Sequence, residues 1–190
     1  MPQNPHRRTQ ILDAAIEILA DAGVGGLTHR AVDERGGLPV GTTSNYFRTR
    51  LALLEAAAAH TADLHWRRVE FLRTYLGPTS RQGIKDLLTR MLAEQDEQAR
   101  RFTLARFELF MEGTRRPELQ PFLAELRAAM VKSATVIFES AGMSPEPPQM
   151  EELSRLLNGL AFSNLTLPPG AGDFDPADLI DRILRAVLEG

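Results

Sequence analysis

The 190-residue sequence contains no cysteine, a single tryptophan and only two tyrosines. Without cysteine the chain can form no disulfide, no thiolate zinc site and no cysteine nucleophile. Long apolar runs are missing too, because the longest uncharged stretch, Leu156 to Gly172, contains two prolines and several polar side chains. Such a stretch is a poor membrane span, and the polar N-terminus lacks the apolar core of a signal peptide. We therefore expect a cytoplasmic protein with no membrane contact.

Enzyme signatures are also missing from the sequence. There is no Gly-x-Ser-x-Gly turn, and the glycines Gly23, Gly25 and Gly26 are not followed by the Lys-Ser/Thr pair of a phosphate loop. His60 and His65 are five residues apart, a spacing that does not stack them on one helical face around a metal. We therefore expect no catalytic residue, no metal and no cofactor.

Hydrophobic residues make up 43% of the chain, a composition typical of globular rather than disordered proteins. The net charge of −3 does not by itself favour nucleic acid as a partner. The charge is uneven, however: residues 1 to 50 contain six arginines and five acidic residues, a net charge of +1, which leaves −4 for the remainder. A small basic face on an acidic body is compatible with DNA binding.

Apolar residues recur at helical spacing throughout the chain, without strand-like alternation, so we expect an all-α fold of about nine helices. The first helix is expected from Asn4-Pro5 to Gly23, with Gly25-Gly26 turning the chain. A long helix is expected from Thr49 to about Tyr75. The next helix is expected to follow a break at Gly77-Pro78, with Ser80 as its cap, and to be interrupted by the polar patch Glu94 to Arg101. Further helices are expected to end at Gly113, to begin at Pro117 and to begin at Asp175-Pro176, with a loop from Gly142 to Pro148.

The stretch from Thr28 to Arg50 has the pattern of two short helices joined by a glycine turn. Thr28 can cap the first helix with its hydroxyl, and Gly36-Gly37 can end it. Leu38 is expected to be the buried residue of the turn. The second helix, Val40 to Phe47, is too short to be stable alone. A short polar helix supported by two others is what a helix-turn-helix places in the major groove of DNA.

Several residues of this stretch are candidate DNA contacts. Asn45 could pair with an adenine edge, and Val40 could meet a thymine methyl group. Hydroxyl side chains can reach bases or phosphates, whereas arginines and residues at a helix N-terminus favour phosphates. The alternative is an ordinary surface of a helical hairpin, and for Tyr46 simple packing explains the residue equally well. The expected DNA-contacting set is Thr28, His29, Val40, Thr42, Ser44, Asn45, Tyr46, Arg48 and Arg50.

The same stretch resembles the DNA-binding signature of TetR-family repressors. The resemblance is carried by Thr28, Val32, Gly37-Leu38, Gly41-Thr42, Tyr46-Phe47 and Arg50, and it covers the first quarter of the chain closely. It implies a homodimeric transcription regulator. Residues 1–50 would form the helix-turn-helix DNA-binding domain, and residues 51–190 would form a helical domain that binds a small-molecule effector and dimerises.

Three positions depart from the family pattern. Pro39 stands where a serine or threonine cap is common. Thr43 stands where a leucine usually packs, a change that is expected to loosen the recognition helix. Ser44 stands where an aromatic residue is frequent, so the usual contact at that position is not expected here.

The last two helices are expected to form a four-helix bundle with those of a second copy, since small and apolar residues let their backbones approach. The alternative is an intrachain core, and both arrangements can hold together. The expected dimer residues are Leu156, Gly159, Leu160, Ser163, Ile180, Ile183, Leu184 and Val187.

The middle helices carry aromatic and polar residues that could line an effector cavity. Plain core is the alternative for each apolar one, while Glu108 and Asn158 would set the polarity of the ligand if they were buried. The mainly apolar candidates indicate a hydrophobic or aromatic effector. The expected ligand-binding set is Trp66, Phe102, Arg106, Phe107, Met111, Asn158 and Phe162.

Two functions from different classes follow. The first is a repressor that binds a palindromic operator in double-stranded DNA as a homodimer and is released by its effector, with the long helix from Thr49 transmitting the change. The second is a helical small-molecule-binding protein or enzyme whose N-terminal hairpin only packs. Salt-dependent DNA binding distinguishes the two.

Overall fold

A computed structural model describes residues 4–77, 79–93, 96–166 and 175–189. Its elements confirm the expected all-α fold. A 3₁₀ turn, Pro117–Leu119, precedes the seventh helix. The helices are α1 (Pro5–Gly26), α2 (His29–Arg35), α3 (Thr42–Tyr46), α4 (Arg50–Leu76), α5 (Arg81–Ala93), α6 (Glu97–Gly113), α7 (Gln120–Ser140), α8 (Pro147–Thr166) and α9 (Pro176–Glu189).

Most helices begin where the sequence predicts. In each of these a nearby side chain accepts hydrogen bonds from the free main-chain N–H groups of the first turn, and such a cap can be recognised from the sequence. The loop expected from Gly142 to Pro148 is shorter, since α8 already begins at Pro147. Pro78, residues 94–95 of the polar patch and residues 167–172 of the uncharged run lie outside the described residues. The capping side chains are those of Asn4, Thr28, Thr49, Ser80 and Asp175.

The chain forms two compact units. Unit 1 comprises Met1–Leu64 and Glu97–Leu126, and unit 2 comprises His65–Asp96 and Arg127–Gly190. Helix α6 therefore belongs to the same unit as the three N-terminal helices. The expected division at residue 50 concerns DNA-binding and effector roles, and it stays a prediction.

The core of unit 1 is built on α1. Its apolar stripe, which includes Ile11, Ala15 and Leu19, is fully buried in one cluster with Leu54 of α4 and Leu109 of α6. Burial of such side chains contributes about 1.5–3 kcal/mol each to folding. This cluster makes α1 the platform on which α2 and α6 pack.

Helix α1 is interrupted at Gly23, where the sequence analysis expected it to stop. Gly23 has φ 61° and ψ −172°, a conformation that L side chains rarely adopt, and one further turn follows it. The carboxylate of Glu108 in α6 accepts a hydrogen bond from the N–H of Val24 at 3.4 Å. A Cβ at residue 23 would lie 2.8 Å from Glu108 Oε2, so the glycine also permits this close approach.

Unit 2 has a separate core in which the buried faces of five helices meet. Val69 of α4, Ile84 of α5, Phe138 of α7 and Leu153 of α8 pack with the apolar face of α9. The opposite face of α9 is charged and includes Arg182 in an ion pair with Asp178. Among the helices that the structure describes, none has the length and apolarity needed to cross a bilayer.

Candidate nucleic-acid interface

The recognition helix is shorter than the sequence predicts. Helix α3 comprises only Thr42–Tyr46, whereas the expectation was Val40 to Phe47. Gly41 precedes it with φ 88°, a left-handed conformation, so Val40 belongs to the turn and not to the helix. Val40 is 90% exposed, while Leu38 is buried as expected and Phe47 is buried too.

The start of α3 is held by a side chain from α2. The carboxylate of Asp33 accepts hydrogen bonds from the N–H of Gly41 and the N–H of Thr43, each at 2.8 Å, and from the hydroxyl of Thr43 at 2.6 Å. Asp33 is only 2% exposed. In the sequence, Asp33 is one of the five acidic residues of the N-terminal fifty, with no role predicted for it. The available signal was an acidic residue ahead of a helix whose own N-cap is glycine.

The end of α3 is held by two further contacts. His29 Nε2 lies 2.7 Å from the carbonyl oxygen of Phe47, so this nitrogen carries the proton and donates. The hydroxyl oxygen of Tyr46 accepts from the N–H of Asn4 at 3.2 Å. The guanidinium of Arg8 lies 5.5 Å from the centre of the Phe47 ring. Tyr46 and His29 therefore help to place α3, whatever else they touch.

The other side of α3 faces solvent. Ser44, Asn45 and Arg48 are exposed, next to the exposed Val40. The hydroxyl of Ser44 donates to the carbonyl of Gly41 at 2.9 Å. Thr42, which is half-buried, donates its hydroxyl to the carbonyl of Pro39 at 2.6 Å, so both hydroxyls are already used as donors within the turn. Thr28 is exposed, and its oxygen accepts from the N–H of Ala31 at 3.1 Å.

Arg50 occupies a different place from the one expected. Its Nε donates to the carbonyl of Leu27 at 2.7 Å, and its Nη2 donates to the carbonyl of Val24. These carbonyls lie at the C-terminal end of α1, where the last main-chain acceptors need partners from outside the helix, and that of Val24 also accepts from the N–H of the cap residue Leu27 at 3.1 Å. Arg50 therefore caps α1, and a phosphate could meet only the remaining part of its guanidinium.

An ion-pair network joins α1, α2 and α6. Arg35 Nη1 lies 3.2 Å from Glu17 and 2.8 Å from Asp21, and Arg101 also binds Asp21. Hydrogen bonds from Arg101 first, and then from Arg35, lower the pKa of Asp21. The carboxylate is therefore ionised at neutral pH, and these contacts weaken only in acid. Arg35 is neutralised inside the unit, so the basic face is smaller than the count of arginines indicates.

Residues 79–190 match the family model described as "Tetracyclin repressor-like, C-terminal domain", which is more than half of the chain. The chain belongs to the TetR family.

Individual relatives agree with this assignment. The chain is 35% identical over 60 residues to "HTH-type transcriptional regulator BetI" of Burkholderia thailandensis, a match that covers 32% of this chain and only 31% of that relative. A "putative TetR-family transcriptional regulator from Rhodococcus sp." is 27% identical with a TM-score of 0.70, covering 97% of this chain and 100% of that chain. The "multidrug binding protein EbrR complexed with ethidium" is 25% identical with a TM-score of 0.71, covering 95% and 99%.

The candidate effector residues of this TetR-family chain fall in both units. In unit 1, the guanidinium of the buried Arg106 lies 5.2 Å from the centre of the Phe107 ring. In unit 2, Lys132 lies over the Trp66 ring at 5.5 Å. Glu108 is exposed and bound to α1, so the burial that would let it set the polarity of a ligand is not met. The remaining candidates are Phe102 and Met111 in unit 1, and Asn158 and Phe162 in unit 2.

The expected dimer residues also divide into two groups. Ile180, Leu184 and Val187 of α9 are buried in the core of unit 2, which is the alternative considered above. These three side chains have almost no exposed surface left to bury against a second copy, and their place in a dimer interface stays a prediction. Leu156 and Gly159 are exposed, and Leu160, Ser163 and Ile183 are partly exposed.

We expect Arg50→Ala to lower the free energy of unfolding by about 1–3 kcal/mol, because two carbonyls of α1 lose a charged donor. Arg48→Ala is the matched control, and as a change at an exposed position it should stay within about 0.5 kcal/mol of the parent. Urea denaturation followed by circular dichroism measures both. Equal stability of the two variants would contradict the capping role of Arg50.

Proposed function

We propose that this TetR-family protein is a cytoplasmic transcriptional repressor, with no catalytic role, that binds a palindromic operator as a homodimer and is released by a small-molecule effector. The observation that carries the proposal is the two-sided character of α3. One side is tied to α1 and α2, whereas the other presents the hydroxyl of Ser44 and the amide of Asn45 to solvent, next to the exposed Val40 and Arg48 that flank the helix. A rigid, exposed polar segment of this size fits the major groove.

The proposed contacts follow from exposure and bonding. Asn45 pairs with an adenine edge, Val40 meets a thymine methyl group, and Arg48 binds phosphate. The hydroxyl proton of Thr28 remains able to donate to a phosphate at the start of α2, since only its oxygen is used in the cap. Four other residues are proposed to contribute less to DNA affinity, because each already has a hydrogen-bond partner within the protein. They are His29, Thr42, Ser44 and Tyr46. Arg50 serves as a cap, and its contact with phosphate stays a prediction for the remaining part of the guanidinium.

The proposed dimer forms through α8. Leu156 and Phe162 are 39% and 47% exposed, and with Gly159 they recur every three residues on one face of the helix. Nothing lies within 4 Å of a Cβ built on Gly159, so a second backbone can approach there. In a two-fold dimer this face meets its own copy. The pairing would place two copies of α3 on successive major grooves, which requires a near-palindromic site.

The proposed release mechanism is a shift between two arrangements of the recognition helices. The long helix α4 contributes residues to both units and remains one candidate transmitter. Helix α6 is a second one, because it carries Phe102 and Phe107 and is bonded to α1 through Glu108 and Arg101. The effector is proposed to be apolar or aromatic, in keeping with those side chains and with the relative EbrR, whose structure contains ethidium.

Selection from a random pool of duplex DNA with the full-length protein tests the proposed function. We expect a near-palindromic sequence to be enriched, with affinity that falls steeply as salt rises because bound counterions are released. The selected duplex then serves in a screen for small molecules that both raise the melting temperature and release the DNA. A protein that enriches no sequence, and whose weak binding is independent of salt, would instead be a helical small-molecule binder or enzyme.

We expect Asn45→Ala to weaken binding to the selected operator by about 1–3 kcal/mol, because one base contact is lost, while binding to random DNA changes little. Gln98→Ala, which removes a similar amide from an exposed position of α6, should leave both affinities unchanged. Fluorescence anisotropy at fixed salt measures the two. An equal loss on operator and random DNA would make Asn45 a phosphate-positioning residue.

We expect Gly159→Arg to convert the dimer to a monomer at micromolar concentration. A two-fold interface would bring the two new charges together and fill the space that the glycine leaves open. Gly25→Arg is the control, since that exposed helical glycine also has nothing within 4 Å of its Cβ position. Light scattering gives the mass. A wild-type monomer, or a Gly159→Arg variant that stays dimeric, would exclude this face of α8.

A further inference from the structure

Asp33 forms hydrogen bonds at both ends of the turn between α2 and α3. The main-chain carbonyl of Asp33 accepts from the N–H of Leu38 at 2.8 Å, which fixes the exit from α2. Its carboxylate accepts from Gly41 and Thr43, which fixes the entry into α3. The chain between these points cannot shift without breaking a bond to Asp33.

The carboxylate replaces a cap that α3 lacks. The N-cap residue Gly41 has no side chain, so the free N–H groups of the first turn need an acceptor from elsewhere. Asp33 Oδ2 accepts from Gly41, while Oδ1 accepts from both the N–H and the hydroxyl of Thr43. Hydrogen bonds to an ionised carboxylate are short and about twice as strong as neutral ones. Two oxygens held by donors on two residues fix the rotation of α3 as well as its position.

Thr43 is the second half of this arrangement. It is completely buried, although an apolar residue is the ordinary occupant of such a position. A buried carboxylate is costly unless its oxygens are hydrogen-bonded, and the Thr43 hydroxyl supplies one of the three donors. An apolar side chain at residue 43 would therefore remove one of the hydrogen-bond donors to the Asp33 carboxylate. An apolar side chain at residue 33 would leave the Thr43 hydroxyl without its acceptor.

We propose that Asp33 and Thr43 form a matched polar pair that positions the recognition helix, so that DNA specificity depends on two buried side chains. This inference rests on the proposed DNA-binding function. Both are positioning residues: they act by setting where Asn45 and Val40 stand relative to the bases. Because the two residues depend on each other, Asp33→Ala and Thr43→Leu each impair α3, and the double variant, which exchanges the polar contact for an apolar one, is less impaired than either.

Hydrogen exchange of the full-length protein, followed by NMR without DNA, tests the pair directly. In Asp33→Asn one acceptor oxygen becomes an NH₂ group that faces N–H donors. We expect the amides of Gly41 and Thr43 to exchange about tenfold faster, while amides of α1 such as Ile16 keep their rates. Thr43→Val should accelerate exchange less, since only the hydroxyl is lost, and Thr43→Ser should retain the parent rates.

The ratio of affinities for the selected operator and for random DNA separates positioning from simple stability. Partial unfolding lowers both affinities in proportion and leaves the ratio unchanged. We expect Asp33→Asn and Thr43→Val to lower the ratio about tenfold, with random binding within about twofold of the parent. Thr43→Ser should restore the parent ratio, because serine keeps the hydroxyl donor.

The outcomes distinguish the pair from the proposed function. Unchanged exchange at Gly41 and Thr43 in Asp33→Asn overturns the pair, even if DNA binding is confirmed. An unchanged affinity ratio overturns its role in specificity. If Asp33→Asn does not fold, Thr43→Val and Thr43→Ser decide, since they differ in the hydroxyl. A wild type that enriches no DNA overturns the proposed function and the claim about specificity, while the exchange rates still decide whether the pair holds α3.

Discussion

A helix of five residues cannot maintain its own shape in water, because it has too few internal hydrogen bonds to offset the ordering of the chain. Helix α3, which we propose to contact DNA, is such a helix. Its geometry comes from its surroundings: the Asp33 carboxylate at its start, the His29 imidazole at its end, and the bond between Asn4 and the Tyr46 hydroxyl. The core of unit 1, built on α1, keeps these three partners in place.

Features that depend on neighbouring residues could be predicted from the sequence. The caps at Thr28 and Ser80, the break at Gly23 and the long helix α4 were expected because each rests on spacing within one element. Features that join distant elements could not. The bond from Arg50 to Val24 spans 26 residues, and an arginine beside a recognition helix is equally suited to phosphate. Only the packing of α1 against α4 shows which partner it has.

The same limit applies to the helices beyond residue 50. Helical periodicity identified the apolar face of α9 but not what that face packs against, and Ile180, Leu184 and Val187 prove to be core of their own chain. Periodicity also gave no indication that α6 packs in one unit with the N-terminal helices. Glu108 and Arg101, which bond α6 to α1, look like ordinary surface charges in the sequence. The candidate effector residues remain an expectation for this reason.

The dependence of α3 on Asp33 limits how such a protein can be re-engineered. If the segment from Thr42 to Tyr46 were grafted onto another regulator, the Asp33 carboxylate that accepts its hydrogen bonds would be missing. A chimera that is meant to keep the geometry of this segment must import residue 33 along with it. Conversely, a recognition helix from another protein with leucine at position 43 would supply no hydroxyl donor to Asp33. The portable module is therefore the whole stretch from α2 to α3.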